Sequence, residues 1–282
     1  YMDYHADRFT DHSLILYRKQ QIYALLPANQ VGDVLFSHQG LTYGGLLTTQ
    51  RATTADICEA FKQLNSYLSG NGIRRCFYKA IPHIYHRLPA EEDLYALTNV
   101  CHAAITRREV SSTILLDHRL KFTESRKSGI RKAQKNNISV RESNALAEFW
   151  TILDNNLHRK YNVAPVHTLA ELELLKTRFP KEIRLFMAFN SANSPIGGTI
   201  IYETPCVIHT QYISASPEGK ANGALDLLFD HLLNKVYADR KCFFDFGKST
   251  ENEGHDLNEP LIFQKEGFGG RGLCYDAYEW ET

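Results

Sequence analysis

The sequence lacks several features that would settle its class at once. No stretch of 18 apolar residues exists, so no segment is long enough to cross a bilayer as a helix. Charge of one sign is not in excess: Lys plus Arg and Asp plus Glu both total 32. Such a balance argues against a dedicated DNA binder, although a local patch can still hold phosphate. No Gly-x-Ser-x-Gly element occurs, which excludes the common α/β serine hydrolase. Among the six cysteines, at 58, 76, 101, 206, 242 and 274, no two are spaced Cys-x-x-Cys. Most lie in apolar runs such as Cys206-Val207-Ile208, and they read as buried reduced thiols of a cytoplasmic protein. No signal-peptide pattern opens the chain, and a start at Tyr1 rather than Met leads us to expect a native segment before it.

What is present is an ordinary globular composition, 43% hydrophobic and 23% charged over 282 residues. That length suits two domains of about 120–150 residues. No linker rich in Pro, Gly or Ser separates them, so packed halves are expected. Apolar runs at Ser13–Tyr17 and Ile22–Leu26 predict a hairpin, and Val34–Ser37 a third strand. The turn Gly40–Gly45 follows. Ile57, Phe61, Leu64 and Leu68 share one face of a helix over 54–68, with Thr54 as its expected N-cap. A strand at 76–80, a short helix near Leu94 and Leu97, and a strand at 110–116 complete the first half.

The second half begins with a helix over 121–135 that is rich in base, and Val140 marks a short strand. Helices are expected at 146–161 and 169–179, and strands at 183–189, 196–202 and 207–214. The loop Ser216–Gly223 leads into a helix at 225–236. A strand at 242–246, a polar loop 247–254, a helix at 259–266 and a strand at 273–280 close the chain. The order of three antiparallel strands, a glycine-led helix, a strand, a short helix and a closing strand thus occurs twice. We place the boundary near residue 118, giving domains 1–118 and 119–282.

This order resembles the GNAT acyltransferase fold, and two copies in tandem resemble the Fem-type peptidoglycan aminoacyltransferases and their relatives. Three local stretches carry the likeness. Arg126-Lys127-Ser128-Gly129-Ile130-Arg131 looks like the family's basic helix, Asp245-Phe246-Gly247 like its Asp-x-Gly strand end, and Lys265-Glu266-Gly267-Phe268-Gly269 like its Lys-x-Gly-Phe-Gly element. The long helical-hairpin arm of some aminoacyl-tRNA users is missing. The pyrophosphate loop of GNAT enzymes survives only loosely as Lys220-Ala221-Asn222-Gly223-Ala224-Leu225. The resemblance implies an α/β (α+β) chain of tandem GNAT-like domains, each with a mixed, largely antiparallel sheet flanked by helices. It also implies an N-acyltransferase acting without a metal or a tightly bound cofactor. Acyl-CoA is the favoured co-substrate, and aminoacyl-tRNA is the alternative. The acceptor is an amine of a cell-envelope precursor, an amino sugar or a peptide. A non-catalytic module that binds a phosphorylated glycan is a third reading.

Candidate residues follow. Ser216, Gly219, Lys220, Asn222 and Gly223 precede a helix, where free N–H groups and the helix dipole favour an anion. Transfer to an amine requires a base. Glu251 lies in the loop after a central strand and is the freest candidate. Asp245 and His209 stand on strands, where each is either functional or a satisfied core residue. Tyr212 is placed to protonate a leaving group. The family likeness implies a role for Lys265 at a developing oxyanion. Lys127, Arg131 and Lys135 recur at i, i+4 and i+8, a stripe able to hold a phosphate-bearing acceptor. Tyr43 and Gly44 are expected to wall the acceptor cleft. Two patterns are decoys. Gly267–Gly272 spells Gly-x-Gly-x-x-Gly but leads into a strand, not a helix. His83 and His86 have no thiol or carboxylate at ligand spacing.

Overall fold

Period-two runs of β-branched and aromatic residues build the sheets, and 3.6-period faces build the helices that cover them. The computed structural model describes residues 2–161 and 165–282. The chain forms two units that are not continuous in sequence. One holds Tyr1–Val110, Thr250–Leu257 and Leu273–Thr282, and the other holds Ser111–Ser249 and Asn258–Gly272. The chain therefore changes unit at Val110, earlier than residue 118, and two late segments return to the first unit.

In the first unit, Leu14–Arg18 and Gln21–Leu26 form the expected hairpin. That hairpin makes a separate sheet with Leu47–Thr48. The strand at 34–36 pairs instead with a strand not foreseen, Asn29–Val31, and with Arg75–Lys79. Helix Thr54–Gly70 buries Ile57, Phe61, Leu64 and Leu68 as its spacing requires. Its N-cap is Thr53 rather than Thr54: the Thr53 hydroxyl accepts from Asp56 N–H. Arg75–Lys79 pairs with Arg271–Glu281, the last strand of the chain.

In the second unit the strands run in the order Ala104–Leu115, Phe243–Lys248, Val207–Ala215, Pro195–Glu203, Ile183–Phe189 and Ser139–Ser143. One face carries Ile114, Ile208, Phe244 and Phe246. It packs on Leu228, Phe229 and Leu232 of the helix that begins at Ala224. The other face, over strands 183–203, packs Leu185, Met187 and Ile200 on Phe149 and Leu153 of helix Leu146–Tyr161.

The two closing strands are exchanged. The strand that ends the first half pairs with Phe243–Lys248 of the second unit, and the strand that ends the second half pairs with Arg75–Lys79 of the first. Three elements differ from expectation. The basic helix starts at Glu124 instead of 121, the 216–223 loop contains a short helix at Pro217–Ala221, and the helix after it is α-helical over Ala224–His231 and π-helical over Leu232–Val236. All six cysteines are free; Cys76, Cys101 and Cys242 are buried and Cys274 is exposed.

Candidate active site

The strands at 207–215 and 243–248 run parallel, in register from Val207 opposite Phe243 to His209 opposite Asp245, where pairing stops. The strand of His209 continues beside Pro195–Glu203. There Ile200 faces Tyr212 and Ile201 faces Thr210, which leaves Gln211 as a bulge. Two parallel strands that part leave backbone groups without ladder partners on the facing edges. Such a gap can seat a carbonyl-bearing ligand.

At the point of parting, alternation turns His209, Asp245 and Thr113 to the face opposite the helix at 224–236, since Ile208, Phe244 and Ile114 face it. Asp245 is fully buried. A buried carboxylate is costly unless it is hydrogen-bonded. Here the hydroxyls of Ser111 and Thr113 donate to Oδ1, the latter at 2.8 Å, and His209 Nδ1–H donates to Oδ2 at 2.8 Å. The imidazole is fixed in one tautomer, with its side chain 18% exposed.

Gly247 sits over this ring. Its φ of +73° suits glycine, and a Cβ there would lie 3.3 Å from His209 Cε1 and 3.9 Å from Nε2. Lys265, on helix Glu259–Glu266, ties the same turn down. Its Nζ donates to Gly247 O at 2.8 Å, Lys248 O at 2.8 Å and Ser249 Oγ at 2.9 Å. Three bonds use all three protons of an ammonium. Lys265 is 4% exposed, and burial pushes its pKa down to about 8 against the opposing pull of Asp245.

Asp245, His209 and Lys265 are thus gathered in one place. Tyr212 lies past the bulge. Its hydroxyl is 2.7 Å from His167 Nδ1, and its ring packs edge-on against Trp150. Glu251 is on the strand Thr250–Glu251, in the first unit. Tyr43 and Gly44 are also in the first unit. Tyr43 packs on Tyr85 at 4.4 Å, and Gly44 bridges to Lys79.

Most of the amides of the supposed anion loop are already engaged. Ser216 caps the short helix by accepting from Gly219 N–H, while the N–H groups of Lys220 and Asn222 donate to Ser216 O and Glu218 O. The Lys220 amine reaches Asn156. Gly223, with φ +73°, lies so close to the basic helix that a Cβ would stand 2.4 Å from Gly129 O. In the first turn of the next helix, Asp226 pairs with Arg126 at 2.6 Å, and burial raises the carboxyl's pKa against that pairing. On the basic helix, Arg131 and Lys127 reach Glu124 at 2.5 and 3.9 Å.

Sequence reasoning missed Ser111, Thr113 and Ser249. The hydroxyls of the first two stand at i and i+2 of one strand, but nothing in the sequence pairs them with Asp245.

The parting parallel strands, the bulge beside them and the glycine-led helix belong to a tandem GNAT fold. Three solved structures share this fold. FemX superposes with a TM-score of 0.67 at 8% identity, over 98% of this chain and 89% of its own. L-PGS from Bacillus licheniformis gives 0.64 at 13%, over 95% and 83%. A tandem GNAT protein from the clavulanic acid biosynthesis pathway, without AcCoA, gives 0.50 at 10%, over 99% and 86%. No family profile and no curated protein matches the sequence.

Proposed function

We propose that the second unit transfers an acyl or aminoacyl group from an activated ester to an amine of a cell-envelope molecule. His209 acts as the base. The observation that carries this reading is the buried Asp245, held by Ser111 and Thr113 and bonded to His209 Nδ1, at the point where the parallel strands part. A carboxylate that accepts from Nδ1–H holds the imidazole in the tautomer whose Nε2 carries the lone pair that takes a proton.

The acceptor nitrogen attacks the ester carbonyl carbon and a C–N bond forms. The nitrogen's proton passes to His209, the C–O bond breaks, and the imidazolium returns that proton to the leaving oxygen. Lys265 does not touch the reacting atoms in this scheme. It positions the Gly247–Ser249 turn against His209.

Between the two donor classes, the engaged amides of the 216–222 helix and the Asp226 carboxylate at the next helix start support an aminoacyl ester such as aminoacyl-tRNA over acyl-CoA. A pyrophosphate would meet amides already bonded within that helix and an Asp226–Arg126 pair that leaves neither charge to spare. Filter assays with labelled aminoacyl-tRNA, in parallel with acetyl-CoA, test this in the presence of an amine-bearing envelope precursor. Transfer from the ester supports the reading. Transfer from acetyl-CoA alone overturns the donor assignment, and binding without product overturns the enzymatic reading.

A further inference from the structure

On the helix side of the second unit, a trough of about 690 Å³ runs between the basic helix, the segment 116–122 and the end of the helix near Asn234. Leu116, Leu120, Phe122 and Ile130 line it with hydrocarbon. Leu120 is 46% exposed although it sits beside the buried Leu116 and Ile130. Four cations, Arg119, Lys121, Lys127 and Arg131, stand around this floor with two carboxylates, Asp117 and Asp230. The carboxylates have their own partners: Asp230 accepts from Asn234 at 2.8 Å, and Asp117 lies 3.1 Å from His118 Nδ1. Glu124 meets Arg131 and Lys127 from the helix start, so four cations face three carboxylates and the rim keeps a net charge of +1.

One wall is built. Arg119 donates to Leu233 O at 2.6 Å and Asn234 Oδ1 at 2.8 Å, where the helix has loosened into its π-turn at Leu232–Val236.

The trough is lined by Leu116 and Phe122, which pack into the core on the helix side of the sheet, whereas His209 and Asp245 face the other side. A ligand here is therefore separated from the reacting atoms by the sheet.

We propose that this trough seats the phosphate and the first chain carbons of an anionic lipid and so holds the protein on a negatively charged lipid surface. Rim cations meet phosphate, and the apolar floor meets hydrocarbon. Gln134 and Asn234 add amides to the rim, and the four hydrocarbon side chains of the floor favour a lipid over a nucleotide or a sugar. Basic residues beside exposed apolar side chains are the combination that binds anionic bilayers.

The test is co-sedimentation of the whole chain with phosphatidylglycerol–phosphatidylcholine vesicles and with phosphatidylcholine vesicles alone, at moderate salt. Binding to the anionic vesicles only is expected. Lys127→Glu combined with Arg131→Glu should weaken it roughly tenfold or more. Lys121→Glu, outside the helix, should weaken it less, and Leu120→Ser should weaken it with all charges kept. Circular dichroism checks that each variant is folded. No binding to anionic vesicles overturns the proposal, as does binding indifferent to every one of these changes. Complete competition by soluble glycerol phosphate points to a plain phosphate site and overturns the lipid assignment. None of these readouts depends on transfer activity.

Discussion

Each unit buries a carboxylate, and the two are used differently. In the first unit Asp93 accepts from the Tyr78 hydroxyl at 2.6 Å, and that hydroxyl accepts from Leu46 N–H at 2.7 Å. Tyr78 is fully buried, and burial raises the pKa of Asp93. This network pins the glycine turn: a Cβ on Gly45 would lie 2.5 Å from the Tyr78 oxygen. In the second unit Asp245 is fully buried, more deeply than Asp93, but its partner His209 retains exposure on the face where the strands part. A buried carboxylate can serve a reacting group when its partner reaches solvent. When the partner is itself sealed in, it marks a structural tie.

The largest expected effect breaks the second network. His209→Ala and Asp245→Asn should each lower the transfer rate by about 100-fold or more, with the protein still folded, as steady-state assays would show. Lys265→Met should lower kcat by roughly tenfold with KM little changed, since the turn over His209 loses its three ties.

Lys265 also gives a pH signature. Its folded pKa of about 8 is below the usual lysine value of 10.5. Between those values the unfolded chain holds more protons, so stability gained from this group rises with pH across that window and is absent below it. The rise is up to about 3 kcal/mol and should vanish in Lys265→Met, as urea titrations at pH 7.5 and 10 would show.

Tyr78→Phe should cost about 2–3 kcal/mol of stability by stranding Asp93 and Leu46 N–H, with activity per folded molecule unchanged. The smallest effect is expected at Glu251→Gln, which should change turnover less than about twofold, because His209 serves as the base.

Much of the fold was legible in the sequence. The helix at 54–70 and the meander at 183–215 announce themselves by period alone. The exchange of closing strands was not legible. Which neighbour each strand takes is decided by contacts far apart in sequence. The helix at Pro217–Ala221 was legible but overlooked: Ser216 followed by Pro217 is a cap and first-turn pair. The cost of burying Asp245 could be read from its apolar strand. Its hydroxyl partners could not, since Ser111 and Thr113 are more than a hundred residues away.

The most direct test of the central claim is single-turnover transfer from aminoacyl-tRNA to an amine acceptor, wild type against His209→Gln, over pH 5.5 to 9. The account predicts a rate that is about 100-fold lower in the variant than in the wild type across this range. Equal rates would contradict it.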